Sequence, residues 1–266
     1  MTKAEAKKSD SATKKSDKKV ERGRLYAINA WLEKNKKAAT AIWAFAIAAW
    51  VGAALFGVQW ALIYLFRAIM PAEVLASNWF SAVFSFVCYA ISLVVIVAVP
   101  WRFMKVKTSR DELGLKGLPT WTDMLLGPVG FGVSLIAAGA LTALMMLLLP
   151  SVDWQQTQEV GFHGLYAMGD YIVAFICLVV LAPIAEEIIF RGWLYGKLRS
   201  RMAAIPAILV VSVLFGIMHG QMNVGVVVFA MSVVMCISRE LTGTIWAGIL
   251  VHMIKNGVAF FFLFRM

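Results

Sequence analysis

Glu186, Glu187 and Arg191 stand in the run Ala185-Glu-Glu-Ile-Ile-Phe-Arg-Gly192, inside a stretch apolar enough to cross a bilayer. A charged residue at the centre of a spanning helix costs roughly 2.5–3.5 kcal/mol on translocon scales, so three of them so close together mark a functional site. Few other polar groups share that environment. His219 closes the apolar run Phe215-Gly-Ile-Met-His219, and His252 and Asn256 bracket His252-Met-Ile-Lys-Asn256. The remaining histidine, His163, reads as a surface residue of a loop. On a helix Glu186 and Glu187 point about 100° apart, so both cannot face one spot, whereas Glu187 and Arg191 are i,i+4 and pair on one face. That pairing neutralises Glu187 and leaves Glu186 for chemistry. His252 and Asn256 are also i,i+4 and present an imidazole and an amide side by side. In a low-dielectric cavity a carboxylate with such neighbours permits general-base chemistry, and fixed donors there stabilise developing negative charge.

The elements that must position these groups are membrane helices. Of the 266 residues 61% are hydrophobic and 15% charged, and the mean hydropathy is +0.78, which is far more apolar than a single soluble core requires. The apolar blocks predict spans at Ala38 to Phe66, Trp79 to Val99, Leu125 to Leu149, Tyr171 to about Leu198, Ala204 to Gly220, Val224 to Ile237 and Thr244 to Leu263. The expected fold is therefore an all-α, polytopic transmembrane bundle of about seven helices, with the sixth the weakest because it is short. The hairpin turn near Met202 puts Glu186 and His219 at matching depths, since they lie at similar distances on either side of it. His252 fits less simply, being close to the start of the last helix. Either that helix begins inside the protein or the sixth segment is re-entrant.

Three parts follow along the chain. Residues 1–37 carry 12 Lys/Arg against five Asp/Glu and no long apolar run, which predicts a basic, disordered tail to about Arg22 and a short interfacial piece over Leu25 to Leu32. Residues 38–124 form the first spans and a loop, and 125–266 the core that holds the reactive groups. The tail reads as a cytoplasmic anchor against anionic lipid, with no nucleic-acid partner, and it is not a secretory signal. The loop from Trp101 to Asp123 and the turn around Lys197, Arg199 and Arg201 then fall inside, and the acidic loop from Pro150 to Asp170 outside. This distribution accounts for most of the net charge of +10. Cys88, Cys177 and Cys236 all fall in spans, without the spacing of a disulfide framework or a metal site.

The ordered motifs E-E-x-x-x-R, F-x-x-x-H and H-x-x-x-N, here Glu186-Glu187 with Arg191, Phe215 with His219, and His252 with Asn256, resemble the type II CAAX prenyl endopeptidase family, the CPBP intramembrane proteases. The likeness runs from about Arg110 to Phe264 and includes Asp111-Glu-Leu-Gly-Leu115, similar to a segment that often precedes this core. The resemblance implies an intramembrane endopeptidase in which Glu186 is the base, His219 positions the water, and His252 with Asn256 forms the oxyanion hole. Glu187 and Arg191 are then structural support. Lys255 departs from the family pattern, which more often has an apolar residue there; it is expected at the cavity edge as a modulator, pairing with Glu187 or acting on Glu186.

Two further readings stay open on the residues. His219, His252 and Glu186 suffice as zinc ligands, although no H-E-x-x-H is present and a metal-free site is favoured. Mid-membrane carboxylates and histidines also serve transporters, and buried polar groups can serve a non-catalytic scaffold. The expected substrate is a membrane-associated protein or peptide, including a prenylated CAAX-type chain. The expected location is a bacterial inner membrane.

Overall fold

The computed structural model describes residues 31, 33–162 and 164–264. The basic tail, nearly all of the interfacial piece and His163 lie outside the described residues. Two compact units divide the chain, Met1–Ala46 and Ile47–Met266, and every candidate site residue belongs to the second. Among the described residues six helices are long and apolar enough to cross a membrane: α1 (Lys36–Ile69), α2 (Asn78–Met104), α3 (Trp121–Leu148), α4 (Met168–Arg199), α6 (Met222–Thr242) and α7 (Trp246–Leu263). A shorter apolar helix, α5 (Ala204–Ile217), lies between α4 and α6. The chain is an integral, multi-pass membrane protein built as a helical bundle. Its exposed apolar side chains, such as Phe45, Ile136 and Leu147, are what a bilayer solvates.

The short helix is α5, of 14 residues, and not the sixth, which has 21. The sequence-based expectation for Val224 to Ile237 stopped short because Asn223, Arg239 and Glu240 interrupt the apolar run at its ends. Each of those residues has a local partner. The Asn223 side-chain amide donates to the Gln156 carbonyl at 2.7 Å. Arg239 donates to the Glu112 carbonyl at 3.2 Å, and Glu240 accepts from Arg199 at 2.8 Å. With its polar ends satisfied, α6 continues to Thr242, where Gly243 in the left-handed region (φ 72°) ends it. Helix α6 packs against α3, α5 and α7, and its most apolar window is 44% buried against 11% for that of α3. It is thus the central column, while α3 presents much of its surface to lipid.

The depth of the last helix is explained by the loop between α2 and α3. Helix α7 starts at Trp246, beneath that loop. The preceding Ile245 is fully buried, its N–H donates to the Gly114 carbonyl at 3.2 Å, and the Trp246 indole donates to Gly117 at 2.7 Å. The helix therefore begins inside the protein, so a few residues bring His252 to the site. The loop itself is clamped. Lys197, 5% exposed, donates to the Lys107 carbonyl at 2.6 Å and pairs with Glu112 at 2.7 Å. Gly114 has φ +72°, and a Cβ there would lie 2.7 Å from the Arg239 guanidinium carbon, so only glycine fits this turn. The segment Asp111 to Leu115 is accordingly a plug that ties α4, α6 and the start of α7 together. At the start of α3, Thr120 and Asp123 form a reciprocal capping box. The second Asp123 oxygen accepts from the Thr244 hydroxyl at 2.6 Å, which joins α3 to the entry of α7.

Candidate active site

Helix α4 carries the glutamates, and Pro183 shapes it. Proline has no N–H to donate to the turn before it. Two π-helical segments, Ile176–Leu181 and Ile188–Leu194, flank the α-helical piece Ala182–Glu187, an irregularity typical of functional positions. The consequence can be traced by hydrogen bonds. The Ala182 N–H goes to the Cys177 carbonyl, and Pro183, next in line, cannot donate, so the Leu178 carbonyl has no helical donor. The Asn256 side-chain amide fills that vacancy, donating to Leu178 O at 2.7 Å. A proline on α4 thus fixes the orientation of an asparagine on α7, and one amide hydrogen of Asn256 remains for another acceptor.

His219 is held by a similar frayed end. The last turn of α5 tightens, with His219 N–H donating to Gly216 at 3.2 Å and Gly220 N–H to Ile217 at 3.1 Å, which releases the Phe215 carbonyl. The His219 ring caps it, Nδ1 to O at 2.8 Å. A carbonyl can only accept, so Nδ1 carries the hydrogen and the neutral ring presents a lone pair on Nε2. The Phe215 ring, 1% exposed, stands edge-on to the rings of His219 (4.9 Å between centroids) and His252 (5.8 Å). The Arg191 guanidinium lies over the same ring at 4.4 Å, a cation–π contact. Phe215 is therefore the spacer that sets both imidazoles and the arginine.

The two glutamates differ sharply. Glu187 is fully buried; its Oε1 accepts from Arg191 at 2.8 Å and lies 3.2 Å from His252 Nδ1. Its other oxygen lies against Gly248 of α7, where a Cβ would come within 2.8 Å. Glu186 keeps 18% side-chain exposure. Its Oε1 accepts from the Tyr89 hydroxyl of α2 at 2.5 Å, and its Oε2 is 3.8 Å from His252 Nε2. The i,i+1 offset does keep the carboxylates from pointing at one spot, and the imidazole of His252 spans the gap, one ring nitrogen toward each. His252 is consequently tied to the glutamates as well as being a neighbour of Asn256.

Glu186, His219, His252, Lys255 and Asn256 all line one cavity of about 410 Å³, together with Tyr89 and the loop residues Gln158, Glu159 and Val160. Arg191 and Glu187 stand behind its wall. Lys255 does not pair with Glu187, whose ligands are Arg191 and His252. Tyr89 is the site residue that sequence reasoning missed. Ser85, Cys88, Tyr89 and Ser92 all line the cavity and recur at helical spacing on α2, a polar stripe in an otherwise apolar span. Among the described residues no group of three or more His, Cys, Asp or Glu side chains is placed to hold a metal ion, while Nδ1 of His219 and of His252 each has a hydrogen-bond partner and Nε2 of each ring is left toward the cavity side.

Comparison with known proteins bears on the same segment. Residues 168–258 match the family model described as Type II CAAX prenyl endopeptidase Rce1-like. The chain is 25% identical over 176 residues to "Putative membrane peptidase YdiL" of Bacillus subtilis (strain 168), an alignment that covers 66% of this chain and 68% of that protein. No solved structure matches the chain significantly.

Proposed function

We propose that the chain, whose residues 168–258 match the type II CAAX prenyl endopeptidase family model, is a membrane endopeptidase of that family and hydrolyses a peptide bond in a membrane-associated protein or peptide with water activated by Glu186. The observation that carries this reading is the division of labour between adjacent carboxylates. Glu187 is sealed behind Arg191 and His252, whereas Glu186 faces the cavity with a single tyrosine donor on one oxygen.

In the proposed reaction Glu186 takes a proton from water as the water oxygen bonds to the scissile carbonyl carbon. The His219 Nε2 lone pair accepts the other water hydrogen and aims the attacking oxygen. The carbonyl oxygen becomes an oxyanion, met by the remaining Asn256 amide hydrogen and by the His252 ring beside it. As the C–N bond breaks, the protonated Glu186 returns its proton to the departing amine. General-base transfer contributes about 10²–10⁴-fold and each fixed oxyanion donor about 10²–10³-fold. No step passes through a metal.

Membrane-bound chains, including prenylated CAAX-type substrates, are the substrate class that suits a cavity between spanning helices. The positive-inside charge pattern supports a cytoplasmic N-terminus held on anionic lipid, and a bacterial inner membrane is the proposed site of action. The test is a panel of membrane-anchored peptides incubated with purified protein and with Glu186→Gln. Cleavage that disappears in the variant supports the proposal. Uncleaved peptides together with pH-dependent ion flux in vesicles point to a transporter, and neither activity points to a scaffold.

A further inference from the structure

The cavity and the basic loops lie at opposite ends of the bundle. On α7 the cavity lining runs from His252 to Leu263, roughly 16 Å of rise toward the end of that helix. On α5 it takes in Phe215, Met218 and His219, again at the end of the helix, and it then meets Gln158, Glu159 and Val160 of the loop between α3 and α4. The start of α6 holds that loop in place: Gln221 donates to the Thr157 carbonyl at 3.3 Å and Asn223 to that of Gln156 at 2.7 Å. None of the described lining residues comes from the loop between α2 and α3 or from the turn between α4 and α5. Past Phe190, toward that turn, the bundle is filled. Trp193, Leu194 and Leu198 are at most 1% exposed, and the Asp111 to Leu115 plug lies directly on α4. A Cβ at Gly192 would sit 3.1 Å from the Leu113 carbonyl oxygen, and one at Gly196 2.6 Å from that of Glu112. Glycine at these two positions lets the plug and the helix backbone close on each other.

The two ends differ in charge. The plugged end carries Arg102, Lys105, Lys107, Arg110 and Lys116 on one loop and Lys197, Arg199 and Arg201 around the next turn, whereas the segment from Pro150 to Asp170 has Asp153, Glu159 and Asp170 and neither lysine nor arginine. An excess of Lys and Arg marks the cytoplasmic end of a membrane bundle. We propose that the plugged end is the cytoplasmic one, that the cavity is reached from the outer face of the membrane, and that the chain cut at Glu186 is an exported one held on that face. This narrows the substrate class given above. A chain on the cytoplasmic leaflet meets the plug instead, which Lys197 clamps through the Lys107 carbonyl and Glu112. The side of access stands on packing and charge alone; that the entrant is a substrate rests on the protease reading.

The experiment measures access and cleavage separately. Single-cysteine proteins are built on a background of Cys88→Ala, Cys177→Ala and Cys236→Ala, with Ser85→Cys on the cavity wall, Gln158→Cys on the loop beside it, or Lys116→Cys on the exposed side of the basic loop. Spheroplasts of a bacterial host present the outer face and inverted vesicles the inner one. Both are treated with a charged, membrane-impermeant maleimide, and a permeant maleimide after solubilisation counts the thiols left. Ser85→Cys and Gln158→Cys are expected to label in spheroplasts and to stay unlabelled in inverted vesicles, and Lys116→Cys to do the reverse. Should the cysteine-free background elute as aggregate, Cys88 of the wild type, part-exposed on the same wall, supplies the cavity readout. Labelling of Lys116→Cys from outside, or of the cavity thiol from inside or from neither face, overturns the proposal. A panel of acylated fluorogenic peptides, charged so that they stay on the leaflet to which they are added, then reports cleavage in the same two preparations, with Glu186→Gln as the blank for host proteases. Cleavage above the blank in spheroplasts alone supports both readings. Cleavage in inverted vesicles, alone or to an equal extent, overturns outer access; outer labelling with cleavage on neither face retains outer access and contradicts the protease reading.

Discussion

The two adjacent glutamates give the sharpest contrast for mutagenesis. Glu187→Gln keeps the size of the side chain and removes its charge. Arg191, fully buried, then loses the carboxylate that faces it at 2.8 Å and keeps an uncompensated charge in the core of the bundle. Breaking a buried pair from one side costs about 3–5 kcal/mol. The new amide also puts a nitrogen where the second oxygen now lies, with Gly248 rather than an acceptor beside it. At roughly 2–4 °C per kcal/mol for a chain of this size, the apparent unfolding midpoint in detergent should fall by roughly 6–20 °C. Glu186→Gln should leave it within a few degrees, because that side chain is part-exposed and its tyrosine donor can bond an amide oxygen as well. Removing both charges, Glu187→Gln with Arg191→Met, should recover part of the loss, giving a coupling energy of opposite sign to the single effects. Tryptophan fluorescence during heating of wild type, Glu186→Gln, Glu187→Gln, Arg191→Met and the double variant measures all of this. Equal midpoints for Glu187→Gln and wild type, or a larger drop for Glu186→Gln, would refute the division into one buried pair and one cavity-facing carboxylate.

Other perturbations follow from single contacts. Tyr89→Phe removes the donor to Glu186 and should lower kcat by about tenfold or more with an unchanged elution profile, as expected for a hydrogen bond to a charged group; an unchanged kcat contradicts a positioning role for Tyr89. Gly248→Ala drives a methyl group to 2.8 Å from Glu187 and should destabilise by about 1–3 kcal/mol, seen as a lowered midpoint in the same heating assay. Lys197→Met strands the Lys107 carbonyl and Glu112, and limited proteolysis should then cut the loop between α2 and α3 faster than in wild type. Pro183→Ala restores a donor to α4; it should return the Leu178 carbonyl to the helix and loosen Asn256, lowering kcat more than it raises KM.

Much of this site was legible in residue types alone, because charge in an apolar run is costly and helical spacing is strict. Glu187 with Arg191 follows from i,i+4 spacing, and the shared depth of Glu186 and His219 from the length of the hairpin. What remained hidden depends on long-range contact or on backbone irregularity. Tyr89 meets Glu186 across 97 positions of chain, and nothing local distinguishes it from any aromatic residue in a span except its serine and cysteine neighbours. The extent of α6 was hidden because the partners of Asn223, Arg239 and Glu240 lie on other segments. The tie between Asn256 and Leu178 requires the π-helical register that Pro183 imposes, a shift of hydrogen bonding that no periodicity reports. His252 was read as a partner of Asn256, and its position between two carboxylates appears only once α7 is docked against α4.

Activation of water by Glu186 without a metal is the step on which the proposed reaction depends. The direct measurement is the initial rate of peptide cleavage by purified protein after exhaustive chelation, with residual metal quantified by mass spectrometry, for wild type and Glu186→Gln side by side. Metal-depleted wild type is expected to keep its rate, and Glu186→Gln to lose at least about 10²-fold. A rate that vanishes on chelation and returns with stoichiometric zinc, or a Glu186→Gln variant that cleaves as fast as wild type, contradicts metal-free activation by Glu186.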